Sequence, residues 1–468
     1  MKRKPKIGLL PLYLKLYDDT MPERRAGFEP FLKTVRMAFE KRGIETVPGE
    51  VCRLRSEFKR AMTRFEQQDV DCLVTLHLAY SPSEESAPVL AASRLPILML
   101  DTTMDAAFGP ATAPSRIMYN HGIHGAMDLA CLLRRQGKTF EIVAGHAGNR
   151  KVMDRAADVA RGLTAARYLR ETRALRIGKA FSGMGDFAVA ETVLRAKLGV
   201  QVKTIGAGLV GGEARKVSVS EIEAELKADL KRFRRLASDE SHRRSVRVSL
   251  GLRRLLDRGG YDAFSMNFLA FRGGAGSAES VPFLEASKSM ARGIGYAGEG
   301  DVLTASLVGA LARAFGKTTF TEIFCPDWRG NSLFLSHMGE INPEMAAAKP
   351  WLIEKPFPFT PAENPAVLAC APQPGPATYV NLAPGPNETF TLIVAPVRVL
   401  ADTKRADMKK SVRGWIRPVS GSVADFLEAY GRAGGTHHSA LVAGDRTEAV
   451  AAMARALGVE CRIIMCRD

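Results

Sequence analysis

Residues Gly293–Glu340 read GIGYAGEGDVLTASLVGALARAFGKTTFTEIFCPDWRGNSLFLSHMGE, and the reading of this stretch decides the architecture. GIGYA is a short apolar run that ends in a glycine turn. Asp301 follows as a helix N-cap, and Leu303, Leu307, Leu311 and Phe315 recur at helical spacing. Gly316 ends that helix, and TTFTEIF (318–324) supplies the β-branched and aromatic residues of a strand. The segment therefore has the form strand, helix, strand. A right-handed crossover lays the second strand beside the first and brings both carboxyl ends to one sheet edge, with Glu299 and Glu322 near each other.

GNSLFLSHMGE (330–340) continues as a turn and another short strand, with His337 near its end. Two carboxylates and an imidazole on one edge suit a divalent cation, and the carboxylates can also move protons. The same residues fit a plainer reading as well: a solvated glutamate after a glycine turn and a hydrogen-bonded core histidine.

Outward from that stretch, 468 residues, 46% of them hydrophobic, allow two to four domains with substantial cores. The amino-terminal MKRKPKIGLLPLYLKLYDD is broken by Pro11, Lys15 and two aspartates, so it reads as a first sheet strand rather than a secretory signal. No apolar run reaches membrane-span length, which excludes a membrane partner. Seven cysteines without CxxC spacing point to reduced thiols and a cytoplasmic location. The net charge of +16 invites a nucleic-acid reading. Its densest basic run, KADLKRFRRLASDESHRRSVRVSLGLRRLLDR, mixes in acids and a helical apolar period, which reads as solvated helix faces. No nucleic-acid-binding motif accompanies it.

The first domain, residues 1–172, alternates strands (KIGLLPLYL, DCLVTLHLA, LPILMLD, FEIVAGHAG) with helices, the rhythm of a parallel sheet covered on both faces. No GxGxxG follows a strand, so no dinucleotide cofactor is expected. His121 and His124 stand three apart at a glycine-rich helix start, either presented on one helical face or joined in a capping cluster. His77 reads as a satisfied core histidine, and His146 as a loop-fixing one. The second domain, 173–325, repeats the α/β rhythm and carries Glu299 and Glu322. Met184 and Asp186 occupy its first loop, and Asn267 lies at a strand end, placed for a backbone bond or a sugar hydroxyl. The third domain, 326–468, carries His337 and His438 and turns to proline-rich short β runs, an antiparallel barrel or sandwich. In GRAGGTHHS, neighbouring side chains of an extended strand point apart, so one of His437 and His438 faces a common site and the other packs behind it.

Taken in order, NHGIHGAMD, IVAGH, SGMGDFAVAE, GGYDAFSMNF, YAGEGD, TTFTEIF, LFLSHMGE and GRAGGTHHS resemble the L-arabinose and L-fucose isomerase superfamily, closer to the L-arabinose branch. The resemblance covers most of the chain. It implies an α/β fold of two Rossmann-like parallel-sheet domains followed by a C-terminal antiparallel β-barrel domain. It implies an aldose–ketose isomerase acting on a pentose or deoxyhexose-like sugar through an enediol. Glu299, Glu322, His337 and His438 would hold a divalent metal, usually Mn2+, and the two glutamates would serve as acid and base. Two oxygen and two imidazole ligands leave room in an octahedral shell, which suits manganese better than a closed zinc site. Met184 would line the sugar pocket. His124 would be lent by a neighbouring subunit, so a homotrimer or homohexamer with the site at a subunit interface is expected. Two departures bear on the substrate. LLPLYLKLYDD stands where these isomerases carry a glutamine, so Tyr13 or Lys15 would meet the sugar. IFCPDWRGN replaces an acidic aromatic segment, so Trp328 would stack on a sugar ring or fill the barrel face. Alternatives are a sugar-binding or regulatory protein on this scaffold, and a metal-dependent sugar hydrolase or lyase.

Overall fold

The computed structural model describes residues 4–274 and 276–465. The chain forms two compact units, one of residues up to Arg167 with Glu448–Gly458, the other of Tyr168–Thr447 with the residues from Val459 on.

The first unit holds five parallel strands, β1 (Lys6–Leu12), β2 (Glu45–Pro48), β3 (Cys72–His77), β4 (Ile97–Asp101) and β5 (Glu141–Ala144), in the order β2-β1-β3-β4-β5. Side chains alternate across a strand, and here the alternation feeds two cores. Leu9, Val74, Leu76, Leu98 and Leu100 pack on one face with Val35, Phe39, Ala156 and Ala160. Leu10, Leu12, Leu73, Ile97 and Met99 pack on the other with Phe58, Phe65, Leu129 and Leu133. Burying each large side chain contributes roughly 1.5–3 kcal/mol, which is why these strands read as nearly continuous apolar runs. His77 corrects one expectation: it is buried, but among the described residues its Nε2 has no hydrogen-bond partner. Burial pushes its pKa down to about 4, against a smaller opposing pull from Asp128.

In the second unit, β6 (Arg173–Ile177), β7 (Gln201–Ile205), the two-residue β8 (Arg234–Arg235), β9 (Ala263–Met266) and β10 (Gly295–Gly298) come first. Four of them form a parallel sheet in the order β10-β9-β6-β7. Then come β11 (Thr318–Asp327), β12 (Ser332–Ser336), β13 (Trp351–Glu354), β14 (Ala366–Ala369), β15 (Gly375–Pro384), β16 (Phe390–Val399), β17 (Gly414–Pro418), β18 (His438–Ala443) and β19 (Glu460–Ile463). β15-β18-β11-β12-β17-β16 run antiparallel and close through a β15–β16 pairing into a six-stranded barrel, with β19 added parallel to β16. β8, β13 and β14 make a small separate sheet. The fold class is thus mixed α/β with parallel sheets and a closed antiparallel barrel. Among the described residues no helix is long and apolar enough to cross a membrane.

The crossover expected of the opening stretch is not what forms. β10 is an edge of the parallel sheet, whereas β11 joins the barrel between β12 and β18. The connecting helix Val302–Phe315 is buried on nearly every side and touches β9 and β10 as well as β11 and β18. A helix apolar all round needs cover all round, and two sheets supply it. Both edges of β11 are taken by antiparallel partners, β12 through the DWRGN hairpin and β18 on the other side, which leaves no edge for β10. The basic run is also not wholly solvated, because Arg253 turns inward to Glu225 at 2.7 Å and to the buried Glu285 at 2.9 Å.

Candidate metal centre

β10 ends at Gly298, and the chain turns sharply through Glu299 at φ 54° and Gly300 at φ 92°. A non-glycine residue in the left-handed region costs about 1–2 kcal/mol and persists only where its surroundings impose it. They do so here. Ser265 Oγ accepts from Gly300 N at 2.9 Å and lies 2.7 Å from Ala297 O, while Phe181 N donates to Glu299 O at 2.8 Å. A side chain at Gly300 would put its Cβ 2.6 Å from Ala180 Cα, so the turn admits only glycine there. Asp301 then caps the helix, its Oδ1 accepting from Thr304 N at 2.8 Å.

The barrel register supplies the remaining groups. Glu322 of β11 stands directly opposite His438 of β18 and Ser336 of β12, and His337 follows Ser336. His438 Nε2 lies 2.8 Å from Glu299 Oε2 and 3.0 Å from Glu322 Oε1. His337 Nε2 lies 3.6 Å from Glu299 Oε1 and 3.7 Å from Glu322 Oε1. His337, His438 and Glu299 are buried and Glu322 is partly exposed, so the cluster opens on the Glu322 side. Phe320 sets its ring edge-on to both buried imidazoles at 4.7 and 5.0 Å, and Phe187 stacks on His438 at 5.0 Å.

Two observations test whether a cation fits. Glu299 Oε2 and His438 Nε2 are buried and close, yet they are not aligned as hydrogen-bond partners and neither has another among the described residues. Gly298 lies in ordinary strand conformation, but a Cβ on it would sit 2.9 Å from His337 Cε1, 3.2 Å from His337 Nε2 and 3.7 Å from His438 Nε2. Orphaned donor atoms facing a cradle that a methyl group would fill match a divalent cation held by oxygen and imidazole. The electrostatics agree. Burial pushes the Glu299 carboxyl up, but His337 and His438 outweigh it and hold it well below the usual carboxylate range. Burial alone would lower the His337 pKa, and the Glu340 and Glu299 carboxylates raise it instead to about 10. His438 is raised in the same way by Asp301, Glu299 and Glu322 against its burial.

The profile of the L-arabinose isomerase central domain matches residues 175–316, and that of the L-arabinose isomerase C-terminal domain matches residues 317–460. The chain belongs to the L-arabinose isomerase family. Curated relatives agree along the chain. The L-arabinose isomerase of Shouchella clausii is 29% identical over 355 residues, 74% of this chain and 71% of the relative. That of Clostridium beijerinckii is 29% identical over 410 residues, covering 85% and 82%. That of Geobacillus kaustophilus is 28% identical over 441 residues, covering 91% and 86%.

In this family member a fifth side chain joins the four named above. His437 was expected to point away from His438, but its Nε2 lies 3.6 Å from Glu322 Oε1 and the two rings are 4.2 Å apart. Ligand atoms of Glu299, Glu322, His437 and His438 all fall within 4.8 Å of one another. The alternation rule fails because β18 starts at His438, which leaves His437 in the preceding bend. Asp186 holds it there, its Oδ2 accepting from His437 Nδ1 at 2.6 Å and from the His437 backbone N at 3.0 Å. His437 is exposed, so it borders the open side of the cluster while His337 and His438 form its floor.

The other sequence-derived residues fall as follows. Met184 is half-buried in the loop two residues before Asp186. Both polar atoms of Asn267 are engaged, Nδ2 donating to Lys179 O and Oδ1 accepting from Leu269 N, each at 3.0 Å. Trp328 is exposed at the β11–β12 turn, six residues and about 20 Å along the strand from Glu322. In the first unit, Tyr13 is fully buried with its ring edge-on to Tyr17 and Phe28. Lys15 is exposed and paired with Asp19 at 2.6 Å. His124 is exposed in the first turn of helix Ile123–Arg135, its ring 5.9 Å from that of His121. His121 Nε2 lies 3.2 Å from Tyr17 Oη, and its Nδ1 lies 2.9 Å from Ile117 O.

Proposed function

We propose that this aldose–ketose isomerase works on a pentose or 6-deoxyhexose through an enediol, with Glu299, Glu322, His337 and His438 holding a divalent cation, most naturally Mn2+. The supporting observation is the convergence of two carboxylates and two Nε2 atoms on the Gly298 cradle, with orphaned donors facing it. When bound, the cation polarises the sugar carbonyl and stabilises the charge that develops on the two vicinal oxygens.

The chain's own groups would do the rest. Glu299, buried at the cradle, would take the proton from the carbon next to the carbonyl. Glu322, partly exposed at the mouth, is placed to exchange the hydroxyl proton between the adjacent oxygens. The carbon-bound proton returns to the neighbouring carbon and the hydroxyl proton passes to the former carbonyl oxygen, so the product is an isomer and nothing is consumed. Phe187 and Phe320 keep water from the floor and leave the open side to the sugar. His437, held by Asp186 at that side, would hydrogen-bond a substrate hydroxyl. A homotrimer or homohexamer belongs with this reading, since the exposed His124 is available to a neighbouring subunit's site.

The test is a panel of pentoses and 6-deoxyhexoses with Mn2+ present. One ketose without fragments is expected. Glu299→Gln and Glu322→Gln should each lower turnover by roughly 10²–10⁴-fold, the usual reach of general acid–base catalysis. A variant that retained both its cation and its turnover would defeat the assignment.

A further inference from the structure

Each floor imidazole has its second ring nitrogen bound to a buried carboxylate. His337 Nδ1 lies 2.8 Å from Glu340 Oε2, and the other Glu340 oxygen accepts from Tyr296 Oη at 2.7 Å. Glu340 is 1% exposed and Tyr296 fully buried. His438 Nδ1 lies 3.0 Å from Asp301 Oδ2, whose companion oxygen is already spent on Thr304 N. Asp301 is fully buried.

A neutral imidazole carries one N–H, and the nitrogen that donates it leaves the other with a free lone pair. With Nδ1–H given to a carboxylate, Nε2 is the ligand atom, and Nε2 is the atom that faces Glu299 and Glu322 in both histidines. Neither carboxylate can rotate freely, because its second oxygen is tied: Glu340 to a phenol and Asp301 to a helix N-terminus. Both ties begin in one six-residue stretch, Tyr296–Asp301. Tyr296 braces the clamp on His337, Gly298 leaves the cradle open, Glu299 supplies a ligand and Asp301 clamps His438.

We propose that Glu340, braced by Tyr296, and Asp301 are positioning residues that set His337 and His438 in the Nδ1–H form with Nε2 toward the cation. The proposal rests on the reading that these histidines hold a cation. It assigns work to three buried groups that touch neither sugar nor ion. It also explains a cost that is otherwise unexplained, the burial of two extra carboxylates beside two that already crowd the site.

The experiment is a Mn2+ titration of metal-stripped protein, followed by the EPR signal of the free ion. The variants are Glu340→Gln, Asp301→Asn, Tyr296→Phe and the double variant Tyr296→Phe/Glu340→Gln, with Glu299→Gln as control. An amide at position 340 keeps the shape of the carboxylate but not its charge, so the bond that holds His337 Nδ1–H falls from charge-assisted to neutral. Outer partners of metal-bound histidines typically account for about 10–100-fold in metal affinity. Glu340→Gln and Asp301→Asn should weaken Mn2+ binding by about that factor, and Tyr296→Phe by less. The double variant should be no weaker than Glu340→Gln alone, because Tyr296 acts only through Glu340. A merely structural role would lower the melting temperature of the stripped protein without this non-additive pattern in Mn2+ affinity. Should Glu340→Gln fail to fold, Tyr296→Phe and Asp301→Asn carry the test: both must weaken Mn2+ binding. If the wild type binds and Glu299→Gln does not, while the clamp variants bind within twofold of wild type, the positioning role is overturned and the cation reading stands. If the wild type takes up no Mn2+, the cation reading fails and takes this inference with it.

Discussion

Gly298→Ala is the most economical probe of the cradle. The position is ordinary strand backbone, so alanine brings no conformational penalty, and any effect must come from the single added carbon. That carbon would lie 2.9 Å from His337 Cε1 and 3.2 Å from its Nε2. Ordinary contact begins near 3.4 Å, so the imidazole must retreat by about 0.5 Å. Glu340 holds the ring from behind at 2.8 Å and Phe320 flanks it at 4.7 Å, so it has little room to yield. Metal ligand distances tolerate only about ±0.2 Å. Overpacking of this kind costs about 1–3 kcal/mol, and carried into cation binding it weakens affinity by roughly 5–150-fold. The assay is Mn2+ binding to the stripped variant alongside turnover at saturating Mn2+. A Gly298→Ala protein that binds Mn2+ within twofold of wild type and turns over normally would refute the claim that the space above Gly298 is where the cation sits.

Two further outcomes follow from single side chains. His77 has a folded pKa near 4 against about 6.5 in the unfolded chain, so the unfolded state takes the proton first as pH falls. Its contribution is intact above pH 6.5 and is lost between 6.5 and 4, about 3 kcal/mol in all; His77→Leu should therefore lose less urea resistance than wild type between pH 7 and pH 4.5, and equal losses would contradict the burial argument. Asp186→Asn replaces a charge-assisted bond to His437 with a neutral one, a difference of about 1 kcal/mol or somewhat more. It should lower kcat/KM by roughly tenfold, mostly through KM, with Mn2+ affinity unchanged; a loss of Mn2+ affinity instead would make His437 a ligand rather than a contact for sugar.

Much of the fold was legible because burial writes itself into a strand as a run. CLVTLH and ILMLD are buried at nearly every position, and a strand covered on both faces has no polar side to show. Asp301 as an N-cap was equally plain, since the capping bond needs only local geometry. What was not legible is which sheet a strand enters. TTFTEIF reads as a strand in any context, and the DWRGN hairpin that sends it into the barrel lies after it in the chain. His437 was misjudged for a related reason: alternation applies inside a strand, and the first residue of β18 cannot be located from GGTHHS alone. Glu340 drew no reading of its own, and Asp301 was legible only as a cap because the imidazole it also holds lies 137 residues away. Sequence periodicity carries no trace of a contact that depends on how two sheets meet.

The most direct test of the isomerase account is the fate of hydrogen at carbon. Metal-stripped protein is incubated in deuterated water with the sugar it accepts, with and without Mn2+, and the recovered aldose and ketose are examined by NMR. Ketose that forms only with the cation, and that carries deuterium at the carbon next to the carbonyl, is the predicted result. Ketose that forms equally well without any cation would contradict the account.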